Sequence, residues 1–117
     1  MPLIFAYGTL QDGPVQQSMY GRALSGHPDQ LNGAERRTIT IEDPQIVAAT
    51  GRASHANIEF NGRAESCVPG TVFELSDSEL ALTDDFERRT DYMRIEVELA
   101  SGTTAWTYVY WPSHARA

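Results

Sequence analysis

Hydrophobic positions alternate with polar ones in several stretches of this chain and recur at helical spacing in two others. Residues 3–7 are a short apolar run halted by Gly8, the pattern of a buried strand entering a tight turn. Pro14 stands where a helix can begin, because its fixed φ suits the first turn. Val15, Met19 and Ala23 follow at four-residue spacing, although Gly21 lies inside that pattern and weakens it. Residues 25–35 hold Gly26, Pro28, Asn32 and Gly33 and read as a loop. Thr38-Ile39-Thr40-Ile41 alternates as a half-buried strand, which Asp43-Pro44 ends. Residues 45–57 show no clean period and read as irregular chain or short edge strands.

Asn61-Gly62, between Ile58/Phe60 and residues 63–68, is the signal of a two-residue hairpin, whose turn needs positive φ at both centres. Pro69-Gly70 reads as a turn into a strand over residues 71–75. Ser76 with Glu79 three residues later forms a capping box, so a helix starts near Asp77. Leu80, Thr83 and Phe86/Glu87 would share its inner face, with acids in its first turn and Arg88-Arg89 at its end. Met93, Ile95, Val97 and Leu99 then alternate with Arg94, Glu96 and Glu98 in a long strand. Ser101-Gly102 turns it back into a strand where Trp106, Tyr108 and Tyr110 alternate. The pattern predicts one α+β domain over residues 1–111 and a flexible tail at 112–117. Its mixed, largely antiparallel sheet is curved, closes towards a small barrel and carries two short helices.

Composition narrows the function. Of 117 residues, 9 are basic and 16 acidic, for a formal charge of −7. A negative field repels phosphate backbones, and Arg36-Arg37 and Arg88-Arg89 are too short to make a basic patch, so nucleic acid is not an expected partner. Lysine is absent, so a substrate anion must meet arginine, a backbone amide or a helix terminus. No run of apolar residues is long enough to cross a bilayer and no signal-peptide pattern precedes the first strand, which gives a cytoplasmic protein as the expectation. Cys67 is the single cysteine and reads as a small buried hydrophobe.

Motifs for phosphate cradles, dinucleotides, metals or a serine nucleophile are missing, and His27, His55 and His114 are scattered, so neither metal nor cofactor is expected. What remains is acidic. Glu87 lies three residues after Asp84 on one helix face and near the helix C-terminus, where the dipole disfavours negative charge. Both effects raise a carboxyl pKa towards the range of a general base. The plain alternative is a solvated glutamate paired with a neighbouring arginine. The turn of Tyr7, Gly8, Thr9 and Leu10 can present successive amides as an anion nest or oxyanion hole, or be merely a turn.

Four stretches in order then carry a resemblance. Tyr7-Gly8-Thr9-Leu10 resembles the YGTL signature of the γ-glutamylcyclotransferase-like (AIG2-like) family. Residues 68–75 (VPGTVFEL) are similar to its following strand, and residues 80–94 (LALTDDFERRTDYMR) to its "L-x-x-L-D-x-x-E…Y-x-R" block. Gly102 with residues 105–109 (AWTYV) is similar to its closing hairpin, and the matches span positions 3–110. The resemblance implies a mixed α/β fold with a small barrel-like sheet. It implies cyclisation of a γ-glutamyl amide to 5-oxoproline with release of an amine or amino acid, without a cofactor. It places the catalytic glutamate on Glu87, the substrate cradle on Tyr7, Gly8, Thr9 and Leu10, and Tyr92 and Arg94 beside the site. Two positions depart from the family pattern. Arg88 stands where glycine often follows the glutamate, and Thr83-Asp84 stands for Leu-Asp. A non-catalytic metabolite- or protein-binding module of the same fold is the alternative.

Overall fold

The alternating stretches form strands in the protein, and the pairings between them assemble two sheets. The computed structural model describes residues 1–40, 44–45 and 54–111. The elements run β1 (Leu3–Ala6), α1 (Gly13–Tyr20), β2 (Gly26–Asn32), β3 (Ala34–Thr40), β4 (Ser54–Phe60), β5 (Cys67–Glu74), α2 (Asp77–Arg88), β6 (Tyr92–Glu98) and β7 (Thr104–Tyr110). A short 3-10 turn, Thr9–Gln11, joins β1 to α1. Five strands make a mixed sheet in the order β2-β5-β1-β7-β6, and β3 pairs with β4 as a separate ribbon. Only β1 with β7 is parallel, so the α+β, largely antiparallel expectation holds. No described helix is long and apolar enough to cross a membrane.

The sheet curves until its two edges meet at one end. There the Ala100 amide donates to the Gln30 carbonyl at 2.8 Å, and the Ser101 hydroxyl donates to Asp29. The ladder itself stays open between β2 and β6, so the expected closing stops at this contact.

Period two sorts the core into two layers. Phe5 and Tyr7 face one way with Val68, Val72, Val97 and Ala105, and meet Ala34 and Ile58 of the ribbon. Ile4 and Ala6 face the other way with Phe73, Leu75, Tyr92 and Tyr108, and are covered by Val15 and Met19 of α1 and Leu80 of α2. Phe5, Ile4 and Leu75 are almost fully buried, so truncating any of them to alanine costs about 2–5 kcal/mol.

Several local expectations are corrected. Residues 26–32, read as loop, are edge strand β2, which tolerates Pro28 because one side of an edge strand needs no donor. Asn61-Gly62 is not the two-residue hairpin. Gly62 has φ +68°, but Asn61 has none of the positive φ that such a turn demands. Both amides donate instead to the Gly33 carbonyl, at 2.9 and 3.1 Å. Their strand β4 pairs back with β3, while β5 pairs with β1 and β2. Pro69-Gly70 is no turn either, because β5 runs straight through it. Pro69 lies beyond the reach of β1, where only β2 neighbours β5. Gly70 is there because a Cβ would stand 2.5 Å from the Ala6 carbonyl oxygen and 2.7 Å from the Phe5 ring.

Gly21 ends α1 rather than interrupting it, with φ +70° and its amide on the Gln17 carbonyl at 3.0 Å. Ala23 therefore falls outside the helix. Cys67 is exposed, so it is not a core thiol. Residues 41–43, 46–53 and the 112–117 tail lie outside the described residues.

Candidate active site

The last turn of α2 carries Glu87 to the open end of the sheet, and the cap at its first turn sets how it arrives. Ser76 accepts the Glu79 amide at 3.1 Å, while the Glu79 carboxylate accepts the Ser76 amide at 2.9 Å, so the expected capping box is complete. Along the inner face, Thr83 is fully buried and donates its hydroxyl to the Glu79 carbonyl at 2.8 Å. That leaves Tyr20 to donate to Thr83 Oγ1 at 2.6 Å, which ties α1 to α2. Phe86 stays exposed, so the inner face is Leu80, Thr83 and Glu87.

Glu87 is only partly accessible, and burial pushes its carboxyl up from 4.5 to about 7. Its negative charge is felt by the hydroxyls of Tyr7, Tyr20, Tyr92 and Tyr108. Burial first, and Glu87 among the charges, holds all four phenols above their usual range, so they stay neutral donors. Yet each hydroxyl is committed elsewhere. Tyr7 donates to the Tyr108 carbonyl at 2.5 Å, Tyr92 to the Ala56 carbonyl at 2.6 Å, and Tyr108 to Asp84 Oδ1 at 2.6 Å. Among the described residues nothing hydrogen-bonds to the Glu87 carboxyl and no arginine pairs with it.

The reason for its shift differs from the one the sequence suggested. Asp84 does not act on Glu87, because Asp84 is turned to the Tyr108 hydroxyl and to Arg94 Nε at 3.6 Å. Burial alone does the work. Arg88, the departure from the family pattern, points to Asp85 at 3.3 Å with both groups largely in solvent, so it leaves Glu87 alone.

The turn of residues 7–10 forms as expected. Tyr7 and Leu10 are buried, Gly8 is half-buried and Thr9 is exposed. Buried Gln16 pins the turn, donating to the Leu10 carbonyl at 2.8 Å while accepting the Leu24 amide at 2.9 Å. The amides of Gly8, Thr9 and Leu10 donate to no described acceptor. Tyr7 thus lies within electrostatic reach of Glu87, although they lie far apart in sequence. Neither described depression is lined by Glu87 or by residues 8–10. A depression of about 190 Å³ is walled by Asp84, Arg88, Tyr92, Met93, Arg94 and Tyr108. A larger one, of about 410 Å³, lies away at Arg22, His27 and Glu74.

Tyr92 ties β6 to β4, and Arg94 lies over the Trp106 ring at 4.4 Å. The reading from sequence missed Tyr20, Gln16 and Tyr108. The Trp106, Tyr108, Tyr110 alternation signalled which face Tyr108 occupies, but nothing local could announce its hydrogen bond to Asp84. Among the described residues no three His, Cys, Asp or Glu side chains are placed to hold a metal.

The model of one protein family, described as gamma-glutamyl cyclotransferase, AIG2-like, matches residues 4–117. No curated protein sequence matches. Among solved structures, one titled gamma-glutamyl cyclotransferase has a TM-score of 0.73 at 18% identity, covering 93% of this chain and 66% of that one. An Arabidopsis thaliana protein solved in solution gives 0.66 at 23% identity, with 93% and 61% covered. An uncharacterized protein from Homo sapiens gives 0.72 at 19% identity, with 94% and 66% covered. The chain spans a little under two thirds of the length of these proteins, and identities this low speak for the fold.

Proposed function

The chain belongs to the gamma-glutamyl cyclotransferase, AIG2-like family, and we propose that it cyclises a γ-glutamyl amide to 5-oxoproline with Glu87 as general acid and base. The observation that carries this is a buried carboxyl within electrostatic reach of four tyrosines, without a hydrogen-bond partner among the described residues and raised by burial to about 7. Buried ionisable groups are ordinarily paired, and a carboxyl left free near neutral pH is suited to moving protons.

In this reaction the α-amine of the γ-glutamyl group attacks its own side-chain carbonyl. The new C–N bond closes a five-membered ring, the amide C–N bond breaks, and the amine departs. Folding the glutamyl chain back on itself supplies much of the rate through proximity. An α-ammonium titrates near ~8 and must lose a proton before attack. Glu87 takes that proton and returns one to the leaving nitrogen. The amides of Gly8, Thr9 and Leu10, which donate to no described acceptor, hold the head group or the developing oxyanion, at about 3–4 kcal/mol per well-placed donor. Arg94 and Tyr92 border the leaving group.

The test is a set of γ-glutamyl amino acids and γ-glutamyl amines, with released 5-oxoproline as the readout. Turnover that disappears in Glu87→Gln supports the reading. The other possibility is a non-catalytic binding module of the same fold. Ligand-dependent melting with no 5-oxoproline from any compound would favour it.

A further inference from the structure

Arg36 and Arg37 are neighbours in the sequence, and the alternation of β3 sends them to opposite faces of the ribbon. Arg37 shares its face with Glu35 and Glu59 and pairs with both carboxylates. Arg36 shares its face with Ala34 and Thr38, with Ile58 directly opposite and Ala56 next along β4. No acid stands among these neighbours, and among the described residues Arg36 has neither a hydrogen-bond acceptor nor an ion pair. The chain has 16 acidic residues and 9 basic ones, so an arginine that meets none of those acids is a ready receptor for an outside anion. Its planar fork suits a carboxylate, which it can grip through two parallel bonds.

The face that bears Arg36 is the one the ribbon lays against the main sheet. Ala34 and Ile58 are buried in one cluster with Tyr7, and Ala56 packs against it. The approach is close at the next residue, where a Cβ on Gly8 would stand 3.6 Å from the Ala56 Cβ. The ribbon thus carries Arg36, itself exposed, to the turn of residues 7–10. The Tyr7 hydroxyl feels two charges of opposite sign there, Glu87 and Arg36. A γ-glutamyl head group bears an α-ammonium and an α-carboxylate on one carbon. Glu87 suits the ammonium, whose proton it takes, but it repels the carboxylate unless a cation stands close by. With lysine absent from the chain, a permanent side-chain cation here is an arginine. We propose that Arg36 binds the α-carboxylate of the γ-glutamyl head group. The amides of residues 8–10 are then left to the developing oxyanion, and turnover is confined to glutamyl compounds whose α-carboxylate is free. The proposal rests on the cyclisation put forward above.

The experiment takes the γ-glutamyl amide that turns over best and the same compound with its α-carboxylate converted to a carboxamide. Released amine is the readout for both. Wild-type protein should favour the acid by roughly 10- to 100-fold in kcat/KM, the range of a charged hydrogen bond. Arg36→Gln should bring that ratio close to one, and Arg36→Lys should restore part of it. Arg37→Gln, on the other face of the ribbon, should leave it at the wild-type value. Equal rates for acid and carboxamide in wild type would overturn the assignment and leave the cyclisation standing. So would an unchanged ratio in Arg36→Gln, or a loss equal for both compounds. Arg36 is exposed and outside the core, so Arg36→Gln should melt as wild type does; should it melt lower, Arg36→Lys still reads the ratio. A direct arm needs no turnover: 5-oxoproline should raise the melting temperature of wild type and not of Arg36→Gln, while 5-oxoprolinamide raises neither. If every γ-glutamyl compound proves inert, the cyclisation fails by itself. No shift with 5-oxoproline in wild type, or an equal shift in Arg36→Gln, would overturn the carboxylate site in either case.

Discussion

Glu79 and Glu87 sit near the two ends of α2, and their carboxyls live in opposite surroundings. Glu79 accepts the Ser76 amide and a two-pronged grip from Arg22 at 2.7 and 2.9 Å, and these hold it down at about 2. Glu87 has no such partner among the described residues, and burial lifts it to about 7. The same side chain on the same helix is a structural anion at one end and a proton carrier at the other. What separates them is the supply of donors. The helix N-terminus offers amides and a nearby cation, whereas at the C-terminus the tyrosine hydroxyls around Glu87 are spent on other acceptors.

The strongest way to break this contrast is Glu87→Gln, which keeps the shape and removes the proton. If Glu87 is the base, 5-oxoproline release should fall by about 10²–10⁴-fold. More than about a tenth of wild-type turnover in the variant would remove Glu87 from the reaction. In wild type, kcat/KM should climb with pH through about 7, as the carboxyl becomes the base.

The same substitution should stabilise the fold in alkali. Glu87 titrates near 4.5 in the unfolded chain and near 7 in the folded one. Between those values the folded protein holds a proton that the unfolded chain has released. Stability from this group is therefore lost as pH rises from about 4.5 to about 7, by at most about 3 kcal/mol at ~1.4 kcal/mol per pH unit. Glu87→Gln should exceed wild type in melting temperature at pH 8 and equal it at pH 4. A variant no more stable than wild type at pH 8 would mean that the carboxyl is not held in a dry enclosure.

Glu79→Ala should do the reverse. Its lowered carboxyl stabilises the fold above about 4.5, and that contribution disappears as pH falls towards about 2. With the Arg22 side chain 45% exposed and screened, the loss at pH 7 should be only about 1–2 kcal/mol. Urea midpoints at pH 7 and pH 2.5 measure it, and an undiminished loss at the lower pH would contradict the assignment.

Which of these two glutamates could be read from sequence follows from how local its partners are. The cap of Glu79 is a matter of residues three apart, so Ser76 and Glu79 announced it. Its Arg22 partner comes from the chain after α1 and had no local sign. Glu87 was picked out partly for a reason the structure withdraws, since Asp84 is turned away by Tyr108 and Arg94. The strands with clean alternation, β6 and β7, were legible because their successive side chains go to opposite faces of the sheet. β2 was not, because an edge strand bears glycine, proline and asparagine without losing its pairing. Gly70 looked like a turn residue, yet its role is to let β5 pass close to Phe5 and Ala6. Sequence shows a glycine; only the neighbouring strand shows which of its two uses applies.

The smallest effect expected at the N-terminal end comes from Ser76→Ala. It removes the hydroxyl that accepts the Glu79 amide at 3.1 Å, at a cost of about 1 kcal/mol, and leaves the Arg22 pair in place. A cap of this kind is a short-range bond to a backbone amide, which dissolved ions reach poorly. The Arg22–Glu79 pair is different, since its arginine stands largely in solvent. Raising sodium chloride from about 0.1 to 1 M shortens the screening length from about 10 to about 3 Å. The cost of Glu79→Ala should then shrink while that of Ser76→Ala stays where it was. Turnover should be untouched by Ser76→Ala at either salt concentration, because Ser76 lies at the far end of α2 from Glu87. If salt trims both costs alike, the cap works mainly through the helix dipole and the two-pronged grip adds little. Glu79 would then differ from Glu87 by its position on the helix rather than by its partners.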